Sequence, residues 1–406
     1  MQSFTRETVI KQFLVRYGNG KSSVRVYAAP ARINIIGEHI DYNGGYVLPC
    51  AIDKYLLLAI RKRSDNKINY ADLVFPETFS FSLAETFSYK KENSYANYLN
   101  GIISILQKKG FTFSAGFDVL IASGIPSAGG ISSSSALECA FAFALSETFG
   151  FKLSQKEIAL VGQASEHEFM NVQCGIMDQF IIATAKKNTA AFLDCEKIEC
   201  EYVPLKLNNF CFVVMNTKKK RMLADSKYNE RRSECEKALA LLKHACIELP
   251  ENELVSNTRN LQNLCELSEN DFELCKSALE NDTVLLKRAR HCVTENERVK
   301  KTKAALSENN LHLLGNILKA GHESMRDDYE ATGIELDTLV EAAQKQSACI
   351  GARMTGAGFG GCAIALVEKK SVNEFIENVQ NAYTQKIGYA CECFSCSTSD
   401  GVHELF

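Results

Sequence analysis

The sequence contains no tryptophan, few prolines and almost no net charge. Six prolines among 406 residues leave no proline-rich linker, so we expect the two halves of the chain to pack closely. The formal net charge of −3 gives no basic field that would hold nucleic acid or an anionic membrane. An apolar run of the roughly 20 residues that a membrane helix needs is also missing. We therefore expect neither nucleic acid nor a membrane as a partner, and we infer no obligate protein partner.

The sixteen cysteines are scattered along the chain, and residues 1–7 contain no apolar signal core. This pattern is typical of reduced cysteines in a cytoplasmic protein and not of a disulfide framework. The densest group is Cys391, Cys393 and Cys396. A metal site is one interpretation of these three residues, but their surroundings favour a short buried strand.

Length and composition predict a globular protein of two or three domains, since 46% of the residues are hydrophobic and 23% are charged. The first half mixes strand-like stretches with helical ones. From about residue 219 to about residue 348 the pattern is strongly helical, and a β-α-β tail follows. The prediction is an α+β fold with one domain over residues 1–205 and a second over residues 206–406.

A glycine- and serine-rich segment, residues 124–138, follows a predicted strand and leads into a predicted helix. Backbone N–H groups at a helix start, together with the helix dipole, favour an anion. A single serine is enough for an ordinary helix cap, so four serines behind two glycines favour phosphate binding. The candidate phosphate-binding residues are Ala128, Gly129, Gly130, Ile131, Ser132, Ser133 and Ser134.

A second dense segment places Glu38, His39 and Asp41 within four residues, directly after an apolar strand. Carboxylates and imidazole suit sugar hydroxyls, which both donate and accept hydrogen bonds. A metal site is the competing interpretation, but one histidine and two acids with no further ligand spacing make it weak.

Two glycine motifs are excluded by their context. Residues 20–22 resemble the end of a P-loop, but Val15 stands where the first glycine should be. Residues 356–361 have the letters of a dinucleotide fingerprint. They precede a strand-like run, whereas that fingerprint must open a helix.

Three motifs in order carry a family resemblance: residues 32–42 (RINIIGEHIDY), the serine-rich loop, and residues 354–362 (MTGAGFGGC). Together they resemble the galactokinase family of GHMP small-molecule kinases. Shorter matches extend the likeness over nearly the whole chain, at residues 95–98, 166–169, 174–180 and 228–232. The resemblance implies a two-domain GHMP kinase fold, with an N-terminal domain like the second domain of ribosomal protein S5 and a ferredoxin-like C-terminal domain. It also implies galactose and ATP as substrates and Mg²⁺ as cofactor.

The resemblance implies Arg32 and Asp178 as the catalytic pair. Asp178 matches the aspartate beside the anomeric hydroxyl, and Arg32 matches the arginine that faces it. An aspartate can accept a proton, and an always-charged arginine can stabilise both that carboxylate and the developing phosphate charge.

Further roles follow from matching positions. The positions that match galactose contacts are Glu38, His39, Ile40, Asp41 and Tyr228. Those that match the magnesium ligands are Ser134 and Glu166, and oxygen donors are what Mg²⁺ prefers. Tyr95 stands where relatives often have a tryptophan at the adenine, and its ring offers the same kind of face.

Because the sequence departs from the family pattern, the identity of the sugar substrate stays open. The sequence departs from the family pattern at Ala31, directly before the first motif, at Ala128 and Ser135 in the loop, and at Ala357 in the third motif. The four-serine run resembles N-acetylgalactosamine kinases, whereas residues 43–45 resemble galactokinases. A non-catalytic galactose sensor is a further alternative, but the loop is full length and both catalytic residues are present. The interpretation is a galactokinase, with another sugar 1-kinase as the alternative.

Overall fold

The computed structural model describes residues 4–126, 130–219, 224–249 and 260–406, with the backbone alone for residues 224–226. Its strands are β1 Arg25–Asn34, β2 Tyr46–Val47, β3 Pro49–Lys62, β4 Lys67–Asp72, β5 Phe79–Ser82, β6 Phe117–Ser123, β7 Thr189–Asp194, β8 Glu199–Pro204, β9 Phe210–Asn216, β10 Cys349–Thr355, β11 Cys362–Glu368, β12 Glu392–Cys396 and β13 His403–Leu405. Its helices are α1 Arg6–Tyr17, α2 Ala96–Lys108, α3 Ser133–Phe149, α4 Gln155–Glu168, α5 Met177–Thr184, α6 Ala224–Glu248, α7 Glu269–Cys275, α8 Thr283–Ser307, α9 Leu311–Asp327, α10 Ile334–Gln344 and α11 Val372–Ile387.

The largest sheet has the strand order β13-β1-β3-β6-β4-β5 and is antiparallel except for the β4–β6 pair. Both of its faces are covered, because alternate residues of β1 join different apolar clusters. Tyr27 and Ala29 belong to the main core, while Val26 and Ala28 pack in a smaller cluster with Val9 of α1. This period of two is what an extended strand between two apolar layers requires.

A second sheet has the order β10-β11-β9-β12 and is antiparallel throughout. Helix α9 packs against β10, and helices α10 and α11 pack against each other beside this sheet. A smaller sheet of β2, β7 and β8 lies between β3 and helix α8.

The sequence predictions agree with this architecture in its main lines. The α+β class is confirmed, and so is the β-α-β tail, which consists of β11, α11 and β12. The glycine run at residues 356–361 joins β10 to β11, so it opens no helix. Strands β9 and β10 were not expected from the sequence pattern, because both lie beside stretches that are predominantly helical.

The domain boundary near residue 205 stays a prediction. The last strand, β13, pairs with β1 through Val26–Leu405, Tyr27–Glu404 and Ala28–His403. The C-terminal end of the chain therefore completes the sheet that the N-terminal end begins.

The cysteine group at residues 391–396 lies at strand β12. Cys391 and Cys393 have their sulfur atoms 3.9 Å apart, and Cys396 donates to the carbonyl of Phe212. None of the sixteen cysteines forms a disulfide bond. Within the described ranges, no helix is long and apolar enough to cross a membrane.

Candidate active site

Arg32 and Asp178 form a bidentate ion pair at the centre of the candidate site. Arg32 lies near the end of β1, and Asp178 lies in the first turn of α5. Nε and one terminal nitrogen of Arg32 donate to Oδ1 and Oδ2 of Asp178, each at 2.8 Å. The arginine side chain is 4% exposed and the aspartate side chain is 27% exposed. The carboxylate is therefore the member of the pair that a ligand can reach.

The serine-rich loop touches this pair at two points. The carbonyl of Gly130 accepts from Arg32 at 2.8 Å, and the hydroxyl of Ser132 donates to Oδ2 of Asp178. Helix α3 begins at Ser133, so its first N–H groups lie beside the pair and lack partners within the helix. Ile131 is buried, and its carbonyl accepts from the backbone N–H of Arg32 at 3.3 Å. Of the predicted loop residues, Ala128 and Gly129 lie outside the described residues.

A cavity of about 230 Å³ opens beside Asp178. Its lining includes the catalytic pair and most of the residues that the resemblance placed at the sugar and the metal. These are Arg32, Glu38, His39, Asp41, Ser134, Glu166, Asp178 and Tyr228.

Glu38 reaches this cavity from the loop after β1, and it is 1% exposed. Its carboxylate forms an ion pair with Arg353 and accepts from the N–H of Gly356 at 3.3 Å. Burial raises the pKa of Glu38 to about 7, although the positive charge of Arg353 acts in the opposite direction. Both partners of the carboxylate come from the C-terminal half of the chain.

His39 has a buried imidazole and a left-handed backbone with φ of 62°. Nε2 lies 3.1 Å from the carbonyl of Ala357, and Nδ1 lies 2.7 Å from the hydroxyl of Tyr42. Because a carbonyl only accepts, Nε2 carries the proton and Nδ1 accepts from the tyrosine. Burial lowers the pKa of His39 to about 3, so the ring is neutral at physiological pH.

Asp41 follows at the start of a short 3₁₀ turn, residues Asp41–Asn43. Burial, and next the negative charge of Asp178, raise the pKa of Asp41 to about 7. Gly175 permits this carboxylate to approach, because a β-carbon at that position would collide with Asp41. Ile40, by contrast, is buried and does not line the cavity. Its carbonyl accepts from the N–H groups of Asn43 and Gly45 and closes the turn.

A second cavity of about 400 Å³ lies on the other side of Ser134. Tyr95 and Phe75 contribute stacked rings to this region, with centroids 6.3 Å apart. Ser133 and Ser134 line it from the start of α3. Ser134 therefore borders both cavities.

Three segments of the chain match known family descriptions. Residues 11–62 match the galactokinase galactose-binding signature, residues 97–186 the N-terminal domain of GHMP kinases, and residues 302–385 their C-terminal domain. A galactokinase of Clostridium tetani is 44% identical over 396 residues, which cover 97% of this chain and 96% of the relative. A galactokinase of Enterococcus faecalis is 44% identical over 389 residues, covering 95% and 97%. The chain belongs to the galactokinase family.

Solved structures agree with the family. A Lactococcus lactis galactokinase complexed with galactose superposes with a TM-score of 0.92 at 39% identity, and the match covers 98% of this chain and 99% of that one. A mevalonate kinase at 18% identity has a TM-score of 0.64 and shares the fold alone. The two-domain GHMP kinase fold predicted from the sequence is confirmed.

The residues of this family member fit a magnesium ion. Ser134 and Glu166 line the same cavity and offer two oxygen donors. Glu138, one helical turn after Ser134, is fully buried beside them, and among the described residues its Oε1 has no hydrogen-bond partner. Burial, and next the charge of Glu166, raise the pKa of Glu138 well above its usual range. A cation at this place would offset the negative charge of these neighbouring carboxylates.

Magnesium is commonly held by few protein oxygens, with phosphates and waters completing its shell. The described residues accordingly need not provide a full set of ligands, and no group of three or more His, Cys, Asp or Glu side chains among them could hold a metal ion.

Sequence reasoning missed two features of the site. One is Arg353, whose signal was an arginine inside the otherwise apolar strand β10, directly before the third motif. The other is the contact of Ser132 with Asp178, since Ser132 was predicted only as a phosphate-binding residue. No pattern in the sequence distinguishes Ser132 from its neighbours in this respect.

Proposed function

We propose that the protein transfers the terminal phosphoryl group of ATP to O1 of α-D-galactose and releases galactose 1-phosphate and ADP. The observation that carries this proposal is the position of the Arg32–Asp178 pair, between a polar cavity and the start of helix α3. The galactokinase relatives, which match along almost the whole chain, support the same activity.

In the proposed reaction the O1–H bond breaks and Asp178 accepts the proton. The freed electron pair on O1 forms the new bond to phosphorus, and the bond between that phosphorus and ADP breaks with its electrons going to ADP. Arg32 orients the carboxylate and offsets negative charge that develops on the phosphoryl group. Because phosphoryl transfer depends mainly on positioning and electrostatics, this fixed bidentate geometry is a large part of the catalysis.

Galactose is proposed to occupy the cavity of about 230 Å³. Glu38 and Asp41 offer acceptors to sugar hydroxyls, while the neutral imidazole of His39 and the ring of Tyr228 complete the wall. The Nε2 and Nδ1 atoms of His39 are already engaged, so this histidine acts mainly by holding the shape of the wall.

ATP is proposed to place its adenine beside Tyr95 in the second cavity and its phosphates at the N–H groups that open α3. Ser134 and Glu166 would hold a magnesium ion on those phosphates. When bound, this ion supplies positive charge that stabilises the transferring group. A reducing cytoplasm is the proposed location, because sixteen cysteines without a disulfide bond suit that compartment.

Substrate choice tests this function directly. We expect the largest kcat/KM for galactose, tolerance of 2-deoxygalactose, and poor use of glucose and N-acetylgalactosamine. A site whose buried polar groups pair with one set of hydroxyls rejects an analogue that leaves them unpaired, by a factor that can reach roughly 10⁴. The measurement is ADP release, coupled to an indicator reaction, with each of the four sugars. A preference for N-acetylgalactosamine would make the protein a different sugar 1-kinase, and no turnover with any sugar would favour a sensor.

A further inference from the structure

The side chain of Ser132 does not cap helix α3, although the residue directly precedes it. Ser132 has a left-handed backbone, with φ of 63° and ψ of 48°. A residue at this position usually accepts from the N–H groups of the first turn, but the Ser132 side chain makes no such capping bond. A non-glycine residue at this φ costs roughly 1–2 kcal/mol. The fold maintains the strained backbone, and the hydroxyl points elsewhere.

That hydroxyl donates to Oδ2 of Asp178. The same oxygen accepts from a terminal nitrogen of Arg32 at 2.8 Å, whereas Oδ1 accepts from Nε alone. A carboxylate has about four acceptor positions, two on each oxygen. Among the described residues, both positions on Oδ2 are therefore used and one position on Oδ1 remains.

We propose that Ser132 is a positioning residue for Asp178, which makes Oδ1 the atom that receives the O1 proton of the sugar. This inference rests on the proposed function, and it deepens the role of the catalytic pair. The serine occupies the second acceptor position of Oδ2, so only the oxygen held by Nε of Arg32 can accept a further hydrogen bond. The carboxylate then presents one orientation to the sugar.

The loop that contains Ser132 contacts both members of the catalytic pair. Gly130 and Ser132 both contact the catalytic pair, through Arg32 and Asp178 respectively. The loop that is proposed to hold phosphate is thus also a support for the group that is proposed to accept the proton. Positioning by the Ser132 side chain differs from the phosphate-binding role that the sequence predicted for this residue.

The two roles predict different kinetics for S132G. Glycine adopts this φ freely and keeps the backbone N–H, so the variant retains the loop and loses only the side chain. We expect kcat to fall between about 10-fold and 100-fold, the effect of losing one hydrogen bond to a charged group. The KM values for ATP and galactose should change less than about threefold. A phosphate-contacting hydroxyl would instead raise the KM for ATP and leave kcat close to wild type, which would overturn the proposal.

S132A provides the matched comparison, because it lacks the hydroxyl but keeps the β-carbon. Equal losses of kcat in the two variants would assign the effect to the hydroxyl, whereas a loss confined to S132A would assign it to backbone strain and refute the inference. The neighbouring variant S133A should raise the KM for ATP, since Ser133 lines the second cavity.

A double-mutant cycle with D178N then tests whether Ser132 acts through Asp178. Single-turnover phosphorylation of galactose, followed for hours with enzyme in excess, measures the slow variants. We expect S132G to change the rate by less than about twofold in the D178N background. Independent, multiplying losses would contradict the inference. The wild-type arm separates the two proposals, because failure to phosphorylate galactose there would refute the function and not the role of Ser132.

Discussion

Arg353 of strand β10 forms a fully buried ion pair with Glu38, which lies in the loop after β1. The same guanidinium lies 3.1 Å from the carboxylate of Glu295 in helix α8, so one positive charge forms ion pairs with two buried carboxylates. The pair joins the proposed galactose site to the second sheet. An interior charge left without its partner is strongly unfavourable, and this gives the first prediction.

We expect R353M to lower the free energy of unfolding by about 3–5 kcal/mol, because Glu38 and Glu295 lose their shared counter-charge. Urea denaturation measures this change. The matched control is R326M, which removes an exposed arginine paired with Asp327 and should change stability by less than about 0.5 kcal/mol. Similar losses in both variants would refute a special role for the buried pair.

The raised pKa of Asp41 predicts opposite pH trends for stability and for binding. A carboxyl whose pKa rises from 3.8 to about 7 on folding stabilises the protein fully below about pH 4, and this contribution is lost as the pH rises through about 7. The side chain in D41N is uncharged at every pH. Between pH 5 and pH 8 the free energy of unfolding of the wild type should therefore fall, relative to that of D41N, by on the order of 2 kcal/mol.

Galactose binding to the wild type should weaken as the pH falls from 8 to 6, because Asp41 and Glu38, each with a pKa of about 7, lose their charge as acceptors. Calorimetric titration of galactose measures this trend, which should be smaller in D41N. His39 stays neutral over the same range, since its pKa is about 3. A wild-type affinity that does not vary with pH would contradict the role of both carboxylates as hydrogen-bond acceptors for galactose.

The catalytic pair gives the third prediction. D178N is nearly isosteric, so it should keep ATP and galactose binding while turnover falls by on the order of 10²–10⁴, the usual contribution of a general base. R32A should also reduce turnover strongly. Calorimetry checks binding, and coupled ADP release checks turnover. Wild-type turnover by D178N with both ligands bound would remove Asp178 from the mechanism.

The fourth prediction concerns magnesium. E166Q should raise the magnesium concentration required for half-maximal activity far more than it raises the KM for galactose, because it removes a charged oxygen donor. Binding of Mn²⁺ in the presence of ATP, followed by electron paramagnetic resonance, gives a readout independent of turnover. The control is E168Q, two residues along, where the side chain is exposed and pairs with Lys108. An unchanged metal titration in E166Q would exclude Glu166 from the site.

The sequence was sufficient for the fold class and for the local motifs, because both depend on short-range patterns. Residues 38–41 are neighbours in the chain, and the strand before them and the serine loop before α3 have clear local signals. The pairing of Arg32 with Asp178 came from the family resemblance, since no periodicity relates residues in β1 and α5. Arg353 escaped notice because its partners, Glu38 and Glu295, are brought to it only by tertiary packing. The direction of the Ser132 side chain depends on one backbone angle that serine seldom adopts.

The pairing of β13 with β1 has a consequence for the order in which the protein folds during synthesis. The ribosome makes β13 long after β1, so the edge of β1 that β13 covers stays open while the intervening chain is synthesised. Contacts between such distant segments form slowly, because a long loop must close first. An open strand edge in a nascent chain is also where unwanted pairing with other chains begins. Completion of this sheet therefore requires β13 to have been synthesised, so the β1 edge is covered only late in assembly.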